Sequence, residues 1–231
     1  MEPVREENLF SQVLVTEKSA MSKRDFWVGI IAGLIIGVLI MPVLRVAEED
    51  IYLKLKYALL PLFLIGTPLG LFAAHLISRK ISVSWQLAKF GVTGVLNVLV
   101  DFGTLAILIF IFRYYFAIDA MDIFLSLGIT ISFYSLYKAT SFVIANVNSY
   151  FWNKYWTFEK KDSGHSQFIG FFVVSVTGFF INVAIASLIF KNITPIGNMN
   201  YDQWALIGAA LASIIGLAWN FLGYKFFVFK K

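Results

Sequence analysis

The 231-residue sequence contains no cysteine and only two histidines, and each shortage excludes a kind of site. Without cysteine the chain can form neither a disulfide bond nor a thiolate metal centre. The two histidines, His75 and His165, fit no metal-ligand spacing. The sequence also lacks a phosphate-cradling glycine loop and a recognisable nucleophile motif. We therefore expect no metal site, no cofactor and no enzymatic activity.

Charged residues are scarce as well, at 14% of the chain, whereas hydrophobic residues make up 59%. Soluble domains usually have an apolar share of about 45–50%. The mean hydropathy is +0.77, and several stretches exceed the roughly 18 apolar residues that indicate a membrane span. The sequence thus predicts an all-α protein, a polytopic membrane helix bundle. In such a protein the net charge of +5 reports orientation rather than a nucleic-acid partner.

The apolar stretches predict six membrane spans. An even number places both termini on the same side of the membrane. If that side is the cytoplasm, thirteen of the 19 Lys and Arg residues lie there, as the positive-inside rule requires. We therefore expect a multi-pass protein of the cell (cytoplasmic) membrane with both termini cytoplasmic. The predicted spans are Trp27–Leu44, Tyr57–Ile77, Phe90–Phe112, Ser135–Tyr155, Phe168–Phe190 and Trp204–Tyr224.

The last four spans form an internal duplication. Lys154 and Lys225 stand in matching aromatic frames about 71 residues apart, and the sequence Val-Thr-Gly at 92–94 recurs at 176–178. A repeat of this kind decides the architecture before any other feature. Because each copy holds two spans, the copies have the same orientation, as parallel repeats in some transporters do. The sequence thus predicts a four-helix core of two parallel two-helix repeats.

The two earlier spans are predicted to form an extra hairpin. Gly29, Gly33 and Gly37 recur every four residues in its first span, and Gly66 and Gly70 do so in its second. Small residues at this spacing let helices approach closely in lipid, either within the hairpin or between two copies in a homodimer. The predicted organisation is a cytoplasmic tail over residues 1–26, the hairpin over 27–78, an interfacial helix over 79–89, and the core over 90–231.

Asp101 is the sequence's strongest indication of a functional site. It shares one helix face with Gly94 and Asn97 and lies near the predicted midplane of the membrane. An acid there costs about 2.5–3.5 kcal/mol on insertion scales, so it requires a partner or a wet cavity. One interpretation is a polar cavity for a substrate. The other is a structural hydrogen bond to Asn146 or to a neighbouring Ser or Thr.

Several amides and two lysines extend this interpretation. The amides are either hydrogen-bonded links between helices or the lining of a shared cavity in the inner half of the membrane. The lysines end two spans and are either snorkelling side chains or sites for an anionic headgroup. The full set of candidate substrate-binding residues is Asn97, Asp101, Asn146, Asn148, Asn153, Lys154, Asn182, Asn220 and Lys225.

Over residues 86–231 the chain resembles the GtrA-like family of small membrane proteins. The resemblance depends on Phe90, Gly91, Gly94, Asn97 and Asp101, on Asn-Lys-Tyr-Trp-Thr-Phe at 153–158, and on Trp-Asn-Phe at 219–221 with Lys-Phe-Phe-Val-Phe at 225–229. It departs from the family in the extra hairpin, in Ser149-Tyr150 where Asn normally precedes an aromatic, and in Lys154 where Arg is common.

The resemblance implies a four-helix unit that acts in cell-surface polysaccharide synthesis. The implied activity is a flippase that moves an undecaprenyl-phosphate-linked sugar between leaflets, with this polyprenyl-phosphate-sugar lipid and membrane lipids as partners. Related units are fused to polyprenyl-phosphate mannose synthases, so a membrane anchor or recruiting partner of a glycosyltransferase is the alternative. A small-solute, proton-coupled exporter built around Asp101 is a third hypothesis.

Overall fold

The structure is a computed structural model that describes residues 21–126, 130–160, 165–197 and 201–230. Most of the predicted tail, residues 1–20, and the polar turn at 161–164 lie outside the described residues. The chain divides into two compact units that meet at Thr157–Phe158. The described elements are α1 Lys23–Ala47, α2 Glu49–Ser78, α3 Val83–Phe116, β1 Ile123–Ser126, β2 Thr130–Ser132, α4 Phe133–Trp152, α5 His165–Asn192 and α6 Tyr201–Gly223, with π-helical segments π1 Asn153–Thr157 and π2 Tyr224–Val228.

The predicted class, an all-α polytopic membrane bundle, is confirmed. Among the described residues, five helices are long and apolar enough to cross a membrane: α1, α2, α3, α5 and α6. The fourth predicted span coincides with α4, which is a continuous helix but is not one of these five. It is less apolar because it carries Lys138 and a row of Ser and Asn side chains.

The first unit contains α1 to α4 and π1. Helix α1 begins with a capping box in which the Ser22 hydroxyl accepts the Asp25 N–H and the Asp25 carboxylate accepts the Ser22 N–H. It packs along α2 as the glycine spacing predicts: a Cβ on Gly33 would collide with the Phe63 carbonyl oxygen, and Gly29 faces Pro68 and Leu71. Close approach of the two backbones therefore requires glycine at position 33.

Gly66 and Gly70 do not contribute to that packing, so the contact within the hairpin uses the glycines of α1, and a homodimer contact through Gly66 and Gly70 stays a prediction. Nothing lies within 4 Å of a Cβ placed on either of them. They line instead an open groove of about 550 Å³ with Gly91 of α3. The hairpin meets α3 elsewhere, through a buried cluster of Ala32, Ile36, Leu96 and Leu99.

Two further boundaries differ from the prediction. The helix expected over 79–89 is not separate: residues 83–88 are the first turns of α3, which continues to Phe116. No proline stands at the expected boundary, and the helix continues through Gly91, so the backbone hydrogen bonds run through it. The connector at 113–134 contains a two-stranded antiparallel sheet in which Ile123 pairs with Ser132 and Leu125 with Ile131.

The second unit contains α5, α6 and π2. Its helices are joined by the Trp219 Nε1–H, which donates to the Val174 carbonyl at 3.2 Å. Near its end the Phe171 ring stacks on the Tyr224 ring, with centroids 4.1 Å apart. We call α3, α4 and π1 the first copy, and α5, α6 and π2 the second copy. Both copies thus consist of two long helices followed by a five-residue π-helical segment.

Candidate functional site

Asp101 lies near the middle of α3, a helix of 34 residues. Its carboxylate accepts a hydrogen bond from the Ser141 hydroxyl at 2.6 Å, and its other oxygen forms an ion pair with the Lys138 ammonium. The Asp101 side chain is 18% exposed and that of Lys138 is 38% exposed. The expected partner is therefore present on α4, but it is a lysine together with a serine rather than Asn146.

Asn97 lies between two contacts that α3 makes within the first copy, one to π1 and one to α4. The Thr93 and Thr157 hydroxyls are 3.4 Å apart, and the Asp101–Ser141 bond lies two helical turns away along α3. Asn97 is halfway between these contacts, so it stands at the level of Ser149 on the antiparallel α4. The predicted polar face of α3 therefore faces the polar residues of α4.

The amides of α4 are only partly satisfied by their own helix. The Asn146 side-chain N–H donates to the Phe142 carbonyl and that of Asn153 to the Ser149 carbonyl, each at 2.9 Å. In the first copy, Asn97 Oδ1, Asn148 Nδ2 and Asn153 Oδ1 are buried without a hydrogen-bond partner among the described residues, and in the second copy so is Asn220 Oδ1. Unsatisfied buried polar atoms are uncommon in folded proteins, so these asparagines have unused capacity to hydrogen-bond a polar molecule.

Lys154 is buried within π1, with 1% of its surface exposed. Its ammonium donates to the Tyr150 hydroxyl at 3.3 Å and lies 5.4 and 5.3 Å from the ring centroids of Tyr150 and Tyr155. No carboxylate partner of Lys154 occurs in the described part of the chain. A buried charge is normally paired, so this lysine is an unusual cation in a pocket of neutral groups.

The second copy repeats the surroundings of this lysine. Lys225 lies in π2, 5.7 Å from the ring centroid of Phe221 and 5.8 Å from that of Phe226. Both lysines therefore have one ring four residues before them and one directly after them. A π-helical turn widens the helix by one residue and is frequent at functional sites. The duplicated aromatic frames of the sequence correspond to a duplicated structure around each lysine.

The remaining two candidates also lie in the second unit. The Asn182 side-chain N–H donates to the Ser213 hydroxyl at 3.1 Å, which links α5 to α6. The Asn220 amide lies against Gly178, where a Cβ would collide with its oxygen. For Asn182 the structural interpretation of the sequence therefore applies. The first copy holds Asn97, Asp101, Asn146, Asn148, Asn153 and Lys154, whereas Asn182, Asn220 and Lys225 belong to the second.

The sequence did not predict a second charge pair, between Lys89 and Asp25, which is buried. The Lys89 ammonium lies 2.8 Å from the Asp25 carboxylate, and both side chains are buried. The same ammonium donates to the Trp156 carbonyl at 3.3 Å, and the Trp156 Nε1–H donates to Asp25 at 3.1 Å. This triad joins the start of the extra hairpin to both ends of the first copy. For the Asp25–Lys89 pair, the available signal was an acid in the first turn of an apolar span. For the Asp101–Lys138 pair, it was a lysine inside the span opposite Asp101.

Within the described residues, no three His, Asp or Glu side chains are grouped so that they could hold a metal ion. The site therefore consists of amides, hydroxyls, two charge pairs and a buried lysine. Such groups can hydrogen-bond a polar molecule and neutralise an anion. They offer no activated nucleophile of the kind that covalent catalysis uses.

These features define a multi-pass all-α membrane protein with a duplicated helical hairpin and polar residues between its helices. The chain belongs to the GtrA/DPMS transmembrane domain family, which it matches over residues 89–229. The resemblance found in the sequence is confirmed. Membership connects the protein with glycan-related, lipid-linked sugar processes, and the GtrA-like domain is typically non-catalytic. No curated protein and no solved structure matched the chain in the corresponding searches.

Proposed function

We propose that this protein is a flippase for polyprenyl-phosphate-linked sugars in the synthesis of cell-surface polysaccharide. The observation that carries the proposal is Lys154, a buried ammonium surrounded by a phenol and aromatic rings. The described residues provide no carboxylate partner for Lys154, and a phosphate would supply that negative charge. A hydrogen bond between charged groups is worth about 1.5–3 kcal/mol, which is enough to select an anionic headgroup.

The polar face between α3 and α4 suits the sugar. One buried atom of each amide, Asn97 Oδ1, Asn148 Nδ2 and Asn153 Oδ1, has no partner in the described residues, and sugar hydroxyls both donate and accept hydrogen bonds. Asp101 would accept a bond from the sugar or take up a proton once its link to Lys138 loosens. The isoprenoid chain would remain in the lipid. In this arrangement the phosphate binds at the end of α4 and the sugar binds along its polar face.

The proposed orientation follows from charge. Lys154 and Lys225 are two of the thirteen cations assigned to the side that carries the termini. With that side cytoplasmic, Lys154 lies near the inner leaflet, from which the lipid-linked sugar would enter. We accordingly propose the cell membrane as the location, with both termini in the cytoplasm.

Translocation in proteoliposomes tests the proposal. Purified protein would be reconstituted with a fluorescent short-chain polyprenyl-phosphate-sugar, and the accessible fraction measured over time. We expect Lys154→Gln to slow translocation at least tenfold, which is about 1.4 kcal/mol. Lys191→Gln, the loss of an exposed charge at the end of α5, is the matched control and should flip lipid at the wild-type rate.

Two outcomes would contradict the proposal. If folded wild-type protein moved none of several polyprenyl-phosphate-sugars, recruitment or anchoring of a glycosyltransferase would become the better explanation. If Lys154→Gln flipped lipid at the wild-type rate, the phosphate site would lie elsewhere.

A further inference from the structure

A second groove lies on the extra hairpin, away from all the residues assigned to the sugar lipid. It is formed between the start of α1 and the end of α2 and has a volume of about 740 Å³. Lys23, His75 and Arg79 line one part of it, while Trp27, Leu69 and Phe72 are among its apolar walls. Because α1 begins where α2 ends, these three basic residues stand at the same membrane surface.

The charge at that end of the groove is uncompensated. Lys23 and Arg79 are both exposed, and neither forms an ion pair in the described part of the chain. Of the described residues that line the groove, none is an Asp or Glu. The nearby carboxylate of Asp25 is engaged by Lys89 at 2.8 Å. His75 adds a buried Nδ1 atom that has no hydrogen-bond partner among the described residues.

The depth of the groove matches one leaflet of a bilayer. Its lining on α2 extends from Arg79 to Leu64, which is about 22 Å at 1.5 Å per residue. A bilayer with its headgroup regions is about 40–45 Å thick, so half of it is of the same length. The walls of the deep part are apolar and open to the side. A molecule that fits has an anionic head and a hydrocarbon tail as long as one leaflet.

We propose that this groove binds one anionic glycerophospholipid, with its phosphate between Lys23 and Arg79 and an acyl chain along Leu69 and Phe72. Basic pockets between membrane helices on the cytoplasmic side recognise anionic headgroups in this way. The planar guanidinium of Arg79 can bind two phosphate oxygens at once. The site holds a resident lipid of the bilayer and is separate from the translocation pathway.

Native mass spectrometry of the full-length protein with phosphatidylglycerol or phosphatidylcholine tests this site. We expect one phosphatidylglycerol to be retained per chain, and phosphatidylcholine to be lost. Arg79→Gln should weaken phosphatidylglycerol retention about tenfold. The double variant Lys23→Gln with Arg79→Gln should weaken it further. Lys80→Gln is the matched control, because Lys80 is the exposed neighbour of Arg79 but does not line the groove. It should leave retention unchanged.

A second pair of variants tests the shape of the groove without altering charge. Leu69→Trp fills the apolar part and should lower phosphatidylglycerol retention, whereas Leu76→Trp, on the same helix outside the groove, should not. Equal losses in Arg79→Gln and Lys80→Gln would indicate general attraction to the basic surface and overturn the proposal. Displacement of phosphatidylglycerol by polyprenyl phosphate at equal concentration would also overturn it, since the groove would then belong to the carrier lipid. Neither result depends on whether the protein translocates sugar.

Discussion

The first copy joins its two helices through an ion pair, whereas the second copy joins them through a neutral bond. Asp101 binds Lys138 and Ser141 between α3 and α4, while Asn182 binds Ser213 between α5 and α6. A charged pair inside a membrane costs more to bury than an amide and a hydroxyl do. The contact between the two helices is therefore charged in the first copy and neutral in the second.

The glycines of the repeated Val-Thr-Gly sequence show the same asymmetry. At Gly178 an added Cβ would collide with the Asn220 amide, whereas at Gly94 it would meet nothing within 4 Å. The second copy is closely packed at this point and the first is open. This difference supports the proposal that the polar part of the substrate binds to the first copy, although an unsatisfied amide oxygen also occurs in the second copy, on Asn220.

The largest expected effect is the loss of translocation in Asp101→Asn. The substitution keeps the size and hydrogen-bonding ability of the side chain but removes its charge, so we expect no measurable flipping above a hundredth of the wild-type rate. Loss of the neutral bond between the helices of the second copy, in Asn182→Ala, should leave most of the activity. The proteoliposome assay compares the two directly.

Folding has to be separated from function in that comparison. Asp101→Asn leaves Lys138 without its counter-charge, but at a cost below the roughly 3–5 kcal/mol of a fully buried pair, because the Lys138 side chain is 38% exposed. The double variant Asp101→Asn with Lys138→Gln removes both charges and should recover stability without recovering translocation. Recovery of translocation in this double variant would assign the pair a purely structural role.

The next largest effect concerns the Asp25–Lys89 pair, which links the hairpin to the first copy. The second copy has no lysine at the position that matches Lys89. Asp25→Asn leaves the Lys89 ammonium buried without its carboxylate. We expect the free energy of unfolding to fall by about 3–5 kcal/mol, measured by denaturant titration in detergent. Glu48→Gln, which neutralises an exposed acid at the other end of α1, is the control. A similar change in both variants would contradict the assigned importance of the buried pair.

Smaller effects on stability, of opposite sign, are expected when Gly178 and Gly94 are each replaced by alanine. Gly178→Ala should destabilise the protein by about 1–3 kcal/mol through overpacking against Asn220. Gly94→Ala meets no neighbour and should be neutral or stabilise α3 by up to about 1 kcal/mol through helix propensity. Thermal unfolding of the two variants measures the difference. Addition of Asn220→Ala should relieve the first defect, and destabilisation of both variants to the same extent would refute the asymmetry.

The smallest effect lies in the connector of the first copy. The Met121 backbone N–H donates to Asp119, and together with the Arg113 guanidinium it lowers the pKa of that carboxyl below its usual 3.8. A lowered pKa means that the ionised form stabilises the turn above the ordinary pKa and that this contribution is lost as the pH falls through the lowered value. The protection factors of the β1–β2 amides, which are corrected for the intrinsic pH dependence of exchange, should therefore fall in strong acid. Asp119→Asn should remove this pH dependence, and its persistence would identify another group as the cause.

From the sequence, the positions of the polar groups could be predicted, but most of their hydrogen-bond and ion-pair partners could not. Asp101 inside an apolar helix required a partner on energetic grounds, but Lys138 was counted only as a topology charge of the outer side, although it lies within the predicted fourth span. The aromatic frames located Lys154 and Lys225, yet nothing in their residues distinguishes a π turn from an α turn. Asp25 was missed because the importance of an acid at a helix start depends on what packs beside it.

The Asp25–Lys89 pair also has a consequence for how the chain is made. Asp25 leaves the ribosome about 64 residues before Lys89 does, and Trp156 follows much later. The hairpin therefore enters the bilayer while its carboxylate has Ser22 as a partner but neither Lys89 nor Trp156. Because an ionised carboxylate without these partners is costly to bury, we expect it to remain at the water interface until α3 arrives. Completion of the first copy supplies the missing partners, so burial of Asp25 is coupled to synthesis of the segment that ends at Thr157.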